Sequence, residues 1–143
     1  MKRALITGAT GCIGRNIVDV LEKDDWEIFV LHRKSSDLSR LDGCKVTAIE
    51  ADFHDRNSII SAVPENLDAI FHVAANLSHE SSYDEEQWKD NVLGTRYLAE
   101  AALIKKVGRF IFTSTGATLP YNTRREEICA QIKSGYVRTK RLA

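Results

Sequence analysis

TGATGCIG, residues 7–14, stands between the apolar run ALIT (4–7) and a stretch whose apolar residues Ile13, Ile17, Val18 and Leu21 fall on one helical face. The order is strand, glycine turn, helix. Small residues serve definite ends there. Gly8 permits the tight turn out of the strand, Gly11 lets backbone amides approach a pyrophosphate, and Gly14 lets the helix pack closely on the sheet. The helix N-terminus adds free N–H groups and a favourable dipole. Such a turn also occurs for packing alone, so its meaning depends on the rest of the chain.

Beyond the turn the chain alternates regularly. IFVL (28–31), KVTAIEA (45–51), LDAIFHVAA (67–75) and RFIFTST (109–115) read as buried strands. Between them lie helical patterns, a short one near Ser58–Val63 and a long one from Asp84 to Lys105 through Val92, Tyr97, Leu98, Ala101 and Ala102. Weaker helical patterns cover Glu126–Lys133 and Tyr136–Ala143. Buried strands alternating with helices predict a single α/β domain over 1–143, a doubly wound parallel sheet of Rossmann type. The expected strand order is 3-2-1-4-5.

Composition narrows the function classes. Lys+Arg and Asp+Glu number 20 each, so no net charge offers a basic face to nucleic acid or anionic lipid. No apolar run approaches the roughly 18 residues of a membrane span, and the opening MKRALITG breaks too early for a signal peptide. Cys12, Cys44 and Cys129 are scattered, odd in number and without metal-ligand spacing, which reads as reduced thiols in a cytoplasmic protein. His32, His54, His72 and His79 make no ligand pattern, so no metal is expected. His72 reads as a core residue with one satisfied nitrogen, and Trp26 and Trp88 as packing.

The cofactor is addressed by the end of strand two. An acid there accepts from a ribose 2′-hydroxyl and selects NAD, whereas a cation accommodates a 2′-phosphate. The chain reads HRKSSD after IFVL, with no acid at that place. Arg33 can take a phosphate bidentately, with Lys34 and Ser35 as further donors, so NADP(H) is expected ahead of NAD(H). The alternative is a solvated basic loop.

Carbonyl reduction by hydride needs a proton delivered to the developing alkoxide, and a phenol with an ammonium beside it can do this. Tyr136 and Lys140 are four residues apart on one face of a helix, well past strand five. A hydroxyl just past that strand would complete the set, and TST offers Thr113, Ser114 and Thr115. Hydroxyls at strand ends also serve simply to satisfy backbone groups.

The Gly-x-x-Gly-x-x-Gly spacing is one residue wider at its start than the common dinucleotide fingerprint. TGATGCIG is similar to the TGxxGxxG signature of the extended short-chain dehydrogenase/reductases, the group containing dihydroflavonol reductases and nucleotide-sugar epimerases. ADFHD (51–55), LDAIFHVAA (67–75), NVLGTRYLAEAA (91–102), RFIFTST (109–115) and YVRTK (136–140) match that family in order. The resemblance implies cofactor contacts from Gly8, Thr10, Gly11, Cys12, Ile13 and Gly14, with Asp52 and Phe53 at the adenine. It places the adenosine half along Val73, Ala74 and Ala75, with Asn91 near the active-site strand ends and Thr113, Tyr136 and Lys140 facing the cofactor. It makes Thr115 the hydroxyl member of the catalytic set with Tyr136 and Lys140, and Ser114 the reserve.

Family members run well beyond this length, so the resemblance implies a dinucleotide-binding part without the substrate lobe. Three activities fit: an oxidoreductase acting on a carbonyl or secondary alcohol, a nucleotide-sugar epimerase or dehydratase, and a non-catalytic NADP(H)-binding module. RFIFTST would lie at an uncovered sheet edge, which predicts self-association through it.

Overall fold

A computed structural model describes residues 1–77, 85–118 and 134–143. Among the described residues, five parallel strands form one sheet: β1 (Arg3–Thr7), β2 (Glu27–His32), β3 (Val46–Glu50), β4 (Ala69–His72) and β5 (Arg109–Phe112). The order is β3-β2-β1-β4-β5, as the alternation predicts. Ile6 aligns with Val30 of β2 and with Phe71 of β4, so β1 is the centre.

Burial follows position in the sheet. In β1, Ala4 to Thr7 are all buried, as are Ile28 to Leu31 of β2, whereas the edge strands β3 and β5 are half-exposed. Alternate side chains divide between two cores. Ala4, Ile6, Ile28 and Val30 pack with Val18 and Leu21 of α1 (Cys12–Lys23) on one face. Leu5, Leu31 and Ile70 pack on the other with Ile59 of α2 (Arg56–Ala62) and Leu98 of α4 (Gly94–Ile104). Asp55 caps α2, accepting from the Asn57 N–H at 2.8 Å.

Three elements differ from the expectation, and the first is β5, which ends at Phe112 rather than running through Thr115. β4 is shorter than the apolar run 67–75, because the chain leaves the sheet after His72 and Val73–Ala75 cross the glycine turn. The long helix is interrupted: α3 (Glu85–Trp88) passes through a π-helical turn, Lys89–Leu93, into α4. A π-turn displaces a backbone acceptor, and Thr95 Oγ1 donates to the Asn91 carbonyl at 2.7 Å within it. The last element, α5 (Gly135–Leu142), starts at Ser134, whose Oγ accepts from the Val137 N–H at 3.4 Å. The expected helix at Glu126–Lys133, with Cys129, and His79 lie outside the described residues.

His72 is buried, and both its ring nitrogens are engaged rather than one. Nδ1 lies 2.7 Å from Thr7 Oγ1 and Nε2 lies 2.8 Å from Thr95 Oγ1. Thr95 spends its one hydrogen on the Asn91 carbonyl, so the proton between them belongs to His72 Nε2. Nδ1 then accepts from the Thr7 hydroxyl, whose oxygen accepts the Ala74 N–H at 3.2 Å. Burial, reinforced by the Lys140 charge, pushes the His72 pKa down to about 3 and keeps the ring neutral.

Candidate functional site

A cleft of about 620 Å³ opens at the carboxyl ends of the strands, over the point where the sheet order reverses between β1 and β4. That is where open parallel sheets hold ligands. Its floor is the glycine turn.

The three glycines have separate duties. Gly8 has φ +71°, and a Cβ on it would stand 2.7 Å from the Ala74 nitrogen. A Cβ on Gly14 would fall 2.1 Å from the Gly8 carbonyl oxygen, so Gly14 seats α1 against the turn itself. Gly11 is different: a Cβ there would meet only the Gly8 oxygen, at 3.3 Å, and otherwise project into open space. Gly11 is also the residue before α1, and no side chain of the described residues caps that helix. Residues 8–13, including Thr10, Cys12 and Ile13, line the cleft. An uncapped first turn facing a cavity that a Cβ would narrow suits an anionic pyrophosphate.

One end of the cleft gathers residues from three segments, those following β2, β3 and β4. Arg33 and Ser36 come from the turn after β2, which Ser36 closes by donating its N–H to the Arg33 carbonyl at 2.9 Å. Lys34 and Ser35 are exposed and not part of the wall, which Ser36 lines instead. Phe53 is buried in the wall. Asp52 lies outside the lining; its carboxylate accepts from the His54 N–H at 2.8 Å and shapes the turn into α2. Val73, Ala74 and Ala75 line the side formed by the chain leaving β4.

Asp90, which no sequence motif singles out, sits among these groups on the π-turn. Its side chain is 9% exposed and takes three donors: Arg33 Nη1 at 3.3 Å, His54 Nε2 at 2.7 Å and Asn76 Nδ2 at 2.9 Å. Arg33 and His54 are 57 and 36 residues away, so no local spacing signals the cluster.

The adjacent Asn91 binds the backbone of the same Asn76 and reaches on to α5. It is buried outside the cleft lining, with Oδ1 accepting the Asn76 N–H at 2.7 Å. Its Nδ2 donates to the Asn76 carbonyl and to Thr139 Oγ1, each at 3.0 Å. It thus ties the exit of β4 to α5.

Thr113, Ser114, Thr115, Tyr136 and Lys140 all line the far end of the same cleft. Thr115 Oγ1 accepts a long contact from the Ala117 N–H, 3.4 Å, which leaves its hydroxyl hydrogen available to a ligand. Lys140 is buried, with Nζ 4.0 Å from the centre of the Phe112 ring, which in turn stacks on His72 at 5.6 Å. Burial pushes the Lys140 pKa down to about 8, so the ammonium is retained at neutral pH. Among the described residues, no group of three His, Cys, Asp or Glu could hold a metal, and no helix is long and apolar enough to cross a membrane.

Comparisons with known proteins agree with this geometry. The chain is 35% identical over 118 residues to sterol demethylase protein B of Methylococcus capsulatus, covering 82% of this chain and 36% of that protein. The crystal structure of vestitone reductase from alfalfa matches 99% of this chain and 50% of its own, with a TM-score of 0.77 and 25% identity. A short-chain dehydrogenase/reductase superfamily protein from Agrobacterium tumefaciens, solved with bound NAD, matches 98% of this chain and 42% of its own, at a TM-score of 0.76 and 26% identity. The chain therefore spans half or less of the length of these relatives. The model of the NAD dependent epimerase/dehydratase family matches residues 4–143. With its order of strands and its glycine turn, the chain belongs to the NAD dependent epimerase/dehydratase family.

Proposed function

We propose that this chain is the dinucleotide-binding and proton-transferring part of an oxidoreductase that acts on a carbonyl or secondary alcohol and prefers NADP(H) to NAD(H). The observation that carries it is one cleft holding both the glycine turn 8–13 and the set Thr115, Tyr136 and Lys140. When bound, the nicotinamide dinucleotide supplies or accepts the hydride.

The protein's own groups do the rest. First-turn amides of α1 hold the pyrophosphate, and Arg33 meets the 2′-phosphate. The Tyr136 hydroxyl gives its proton to the substrate oxygen in reduction and takes it back in oxidation, while the Thr115 hydroxyl donates a hydrogen bond to that oxygen. The Lys140 ammonium, one turn beyond Tyr136, favours negative charge on oxygen in its vicinity.

The test is a titration of NADPH and NADH fluorescence, followed by turnover on a panel of carbonyl compounds. Tighter binding of NADPH, with turnover reduced at least a hundredfold in Tyr136→Phe, is the expected result. Binding without turnover of any carbonyl, by a chain that converts a nucleotide sugar, would move the assignment to an epimerase or dehydratase. The family description favours that second reading. Binding with neither activity would leave an NADP(H)-binding module.

A further inference from the structure

The residue after β2 that decides between the two dinucleotides in this fold class is Arg33, yet Arg33 does not face the cleft alone. Its Nη1 lies 3.3 Å from Asp90 Oδ2, and Asp90 lines the same cleft. The two groups are unequally placed. Asp90 is 9% exposed and fixed by three donors, whereas Arg33 is 56% exposed and joined to it by one nitrogen of its guanidinium. The carboxylate is therefore the anchored member and the arginine the adjustable one.

Charge and donor inventory have two consequences. A ligand phosphate drawn to Arg33 comes close to a fixed anion that solvent screens poorly, and the repulsion subtracts from the attraction. A carboxylate has about four acceptor positions, and Arg33, His54 and Asn76 use three. One remains for a ligand hydroxyl.

We infer that Asp90 is a specificity-determining residue at the adenosine end. It offsets Arg33 against a 2′-phosphate and offers an acceptor to a 2′-hydroxyl, so it narrows the preference for NADP(H) over NAD(H). This rests on Arg33 being the group that meets the 2′ position. In effect, the acid absent from the sequence after β2 is supplied in space by the π-turn.

The test is the ratio of NADPH to NADH affinity, by fluorescence titration of the 143-residue chain, in wild type, Asp90→Asn, Arg33→Ala and the double variant. Asp90→Asn keeps the shape and the Asn76 contact but removes the charge; circular dichroism melts check its folding, and Asp90→Ser replaces it should it fail. The expected result is a ratio raised about tenfold by Asp90→Asn, lowered by Arg33→Ala, and insensitive to Asp90 once Arg33 is gone. An unchanged ratio, or a fall as large as that of Arg33→Ala, would overturn the inference; the fall would make Asp90 a mere support for the arginine. The two proposals fail separately. Wild type preferring NADPH with an unchanged ratio in Asp90→Asn refutes the role of Asp90 alone. Wild type preferring NADH, with NADPH admitted on removing the carboxylate, refutes the NADP(H) preference and keeps the role of Asp90.

Discussion

The Asn91 side-chain amide donates to Thr139 Oγ1 at 3.0 Å while its oxygen holds the Asn76 N–H at 2.7 Å. One buried side chain thus spans the loop after β4, the π-turn and α5. Replacing it by alanine removes its bond to the Asn76 N–H and unties α5, while Gln87 Nε2 still donates to the Asn76 carbonyl at 3.2 Å, for a cost of roughly 2–3 kcal/mol. Urea unfolding measures the loss. Hydrogen exchange in Gly135–Leu142 should accelerate more than in β1; equal acceleration would mean that Asn91 does not hold α5.

Alanine at each of the three turn glycines should separate folding from binding. At Gly14 the added carbon collides with the Gly8 oxygen, and at Gly8 it meets the Ala74 nitrogen on a backbone of positive φ. Both variants should lose on the order of 3 kcal/mol or more of stability. Gly11→Ala brings its carbon to a tight but relievable 3.3 Å from the Gly8 oxygen, so it should lose far less stability than the other two while dinucleotide affinity drops at least tenfold. A normal titration for Gly11→Ala would remove the cradle assignment.

His72 gives the fold an acid limit. Its pKa is lowered from 6.5 to about 3, so below the unfolded value the unfolded chain binds a proton that the folded chain refuses. The stability it contributes is complete above pH 6.5 and declines at about 1.4 kcal/mol per unit as pH falls toward 3. His72→Gln should be less stable at pH 7 yet show a shallower decline between pH 6.5 and 4. Parallel curves for the two proteins would contradict this.

Lys140 acts in the alkaline range. Its pKa is lowered from 10.5 to about 8, so between those values the unfolded chain carries more protons and folding becomes more favourable as pH rises. At pH 7 the fold bears the full cost of the desolvated ammonium. Lys140→Met should therefore be at least as stable as wild type at pH 7, and wild type should gain on it from pH 8 to 10. Thermal melts across that range decide the point; a constant difference would mean that the ammonium is not desolvated.

Among the described residues, β5 is half-exposed at the edge of the sheet, with Ile111 38% exposed. Its outer backbone groups invite pairing with a second copy. Sedimentation velocity should show a species larger than 16.1 kDa growing with concentration, and Ile111→Lys should reduce it. A monomer at every concentration would refute the edge as an association site.

The sheet is legible in the sequence because its signals are local. ALIT, IFVL and RFIFTST are short apolar runs bounded by turns, and TGATGCIG fixes the first crossover. Gly8, Gly11 and Gly14 can be given roles for the same reason, although Gly14 closes on the turn rather than only on the sheet. Tyr136 and Lys140 share a helix face by spacing, and that placement holds. The carboxylate of Asp90 is not legible. It depends on a π-turn that sets Asp90 toward Arg33 and His54, and nothing in WKDNVLGT marks where a helix takes in an extra residue. The second partner of His72 is hidden likewise, since Thr95 reaches it only across 23 residues of chain.

The π-turn has a mechanical consequence for the protein. Asp90 grips Arg33 at one end of the cleft, and Asn91, bonded to it in sequence, grips Thr139 of α5 near the other. A molecule that draws Arg33 off its carboxylate leaves Asp90 held by His54 and Asn76, so the neighbouring Asn91 keeps its grip on the helix bearing Tyr136 and Lys140. Deleting a single residue from Lys89–Leu93 would shift both grips at once, since one turn of helix carries the two side chains.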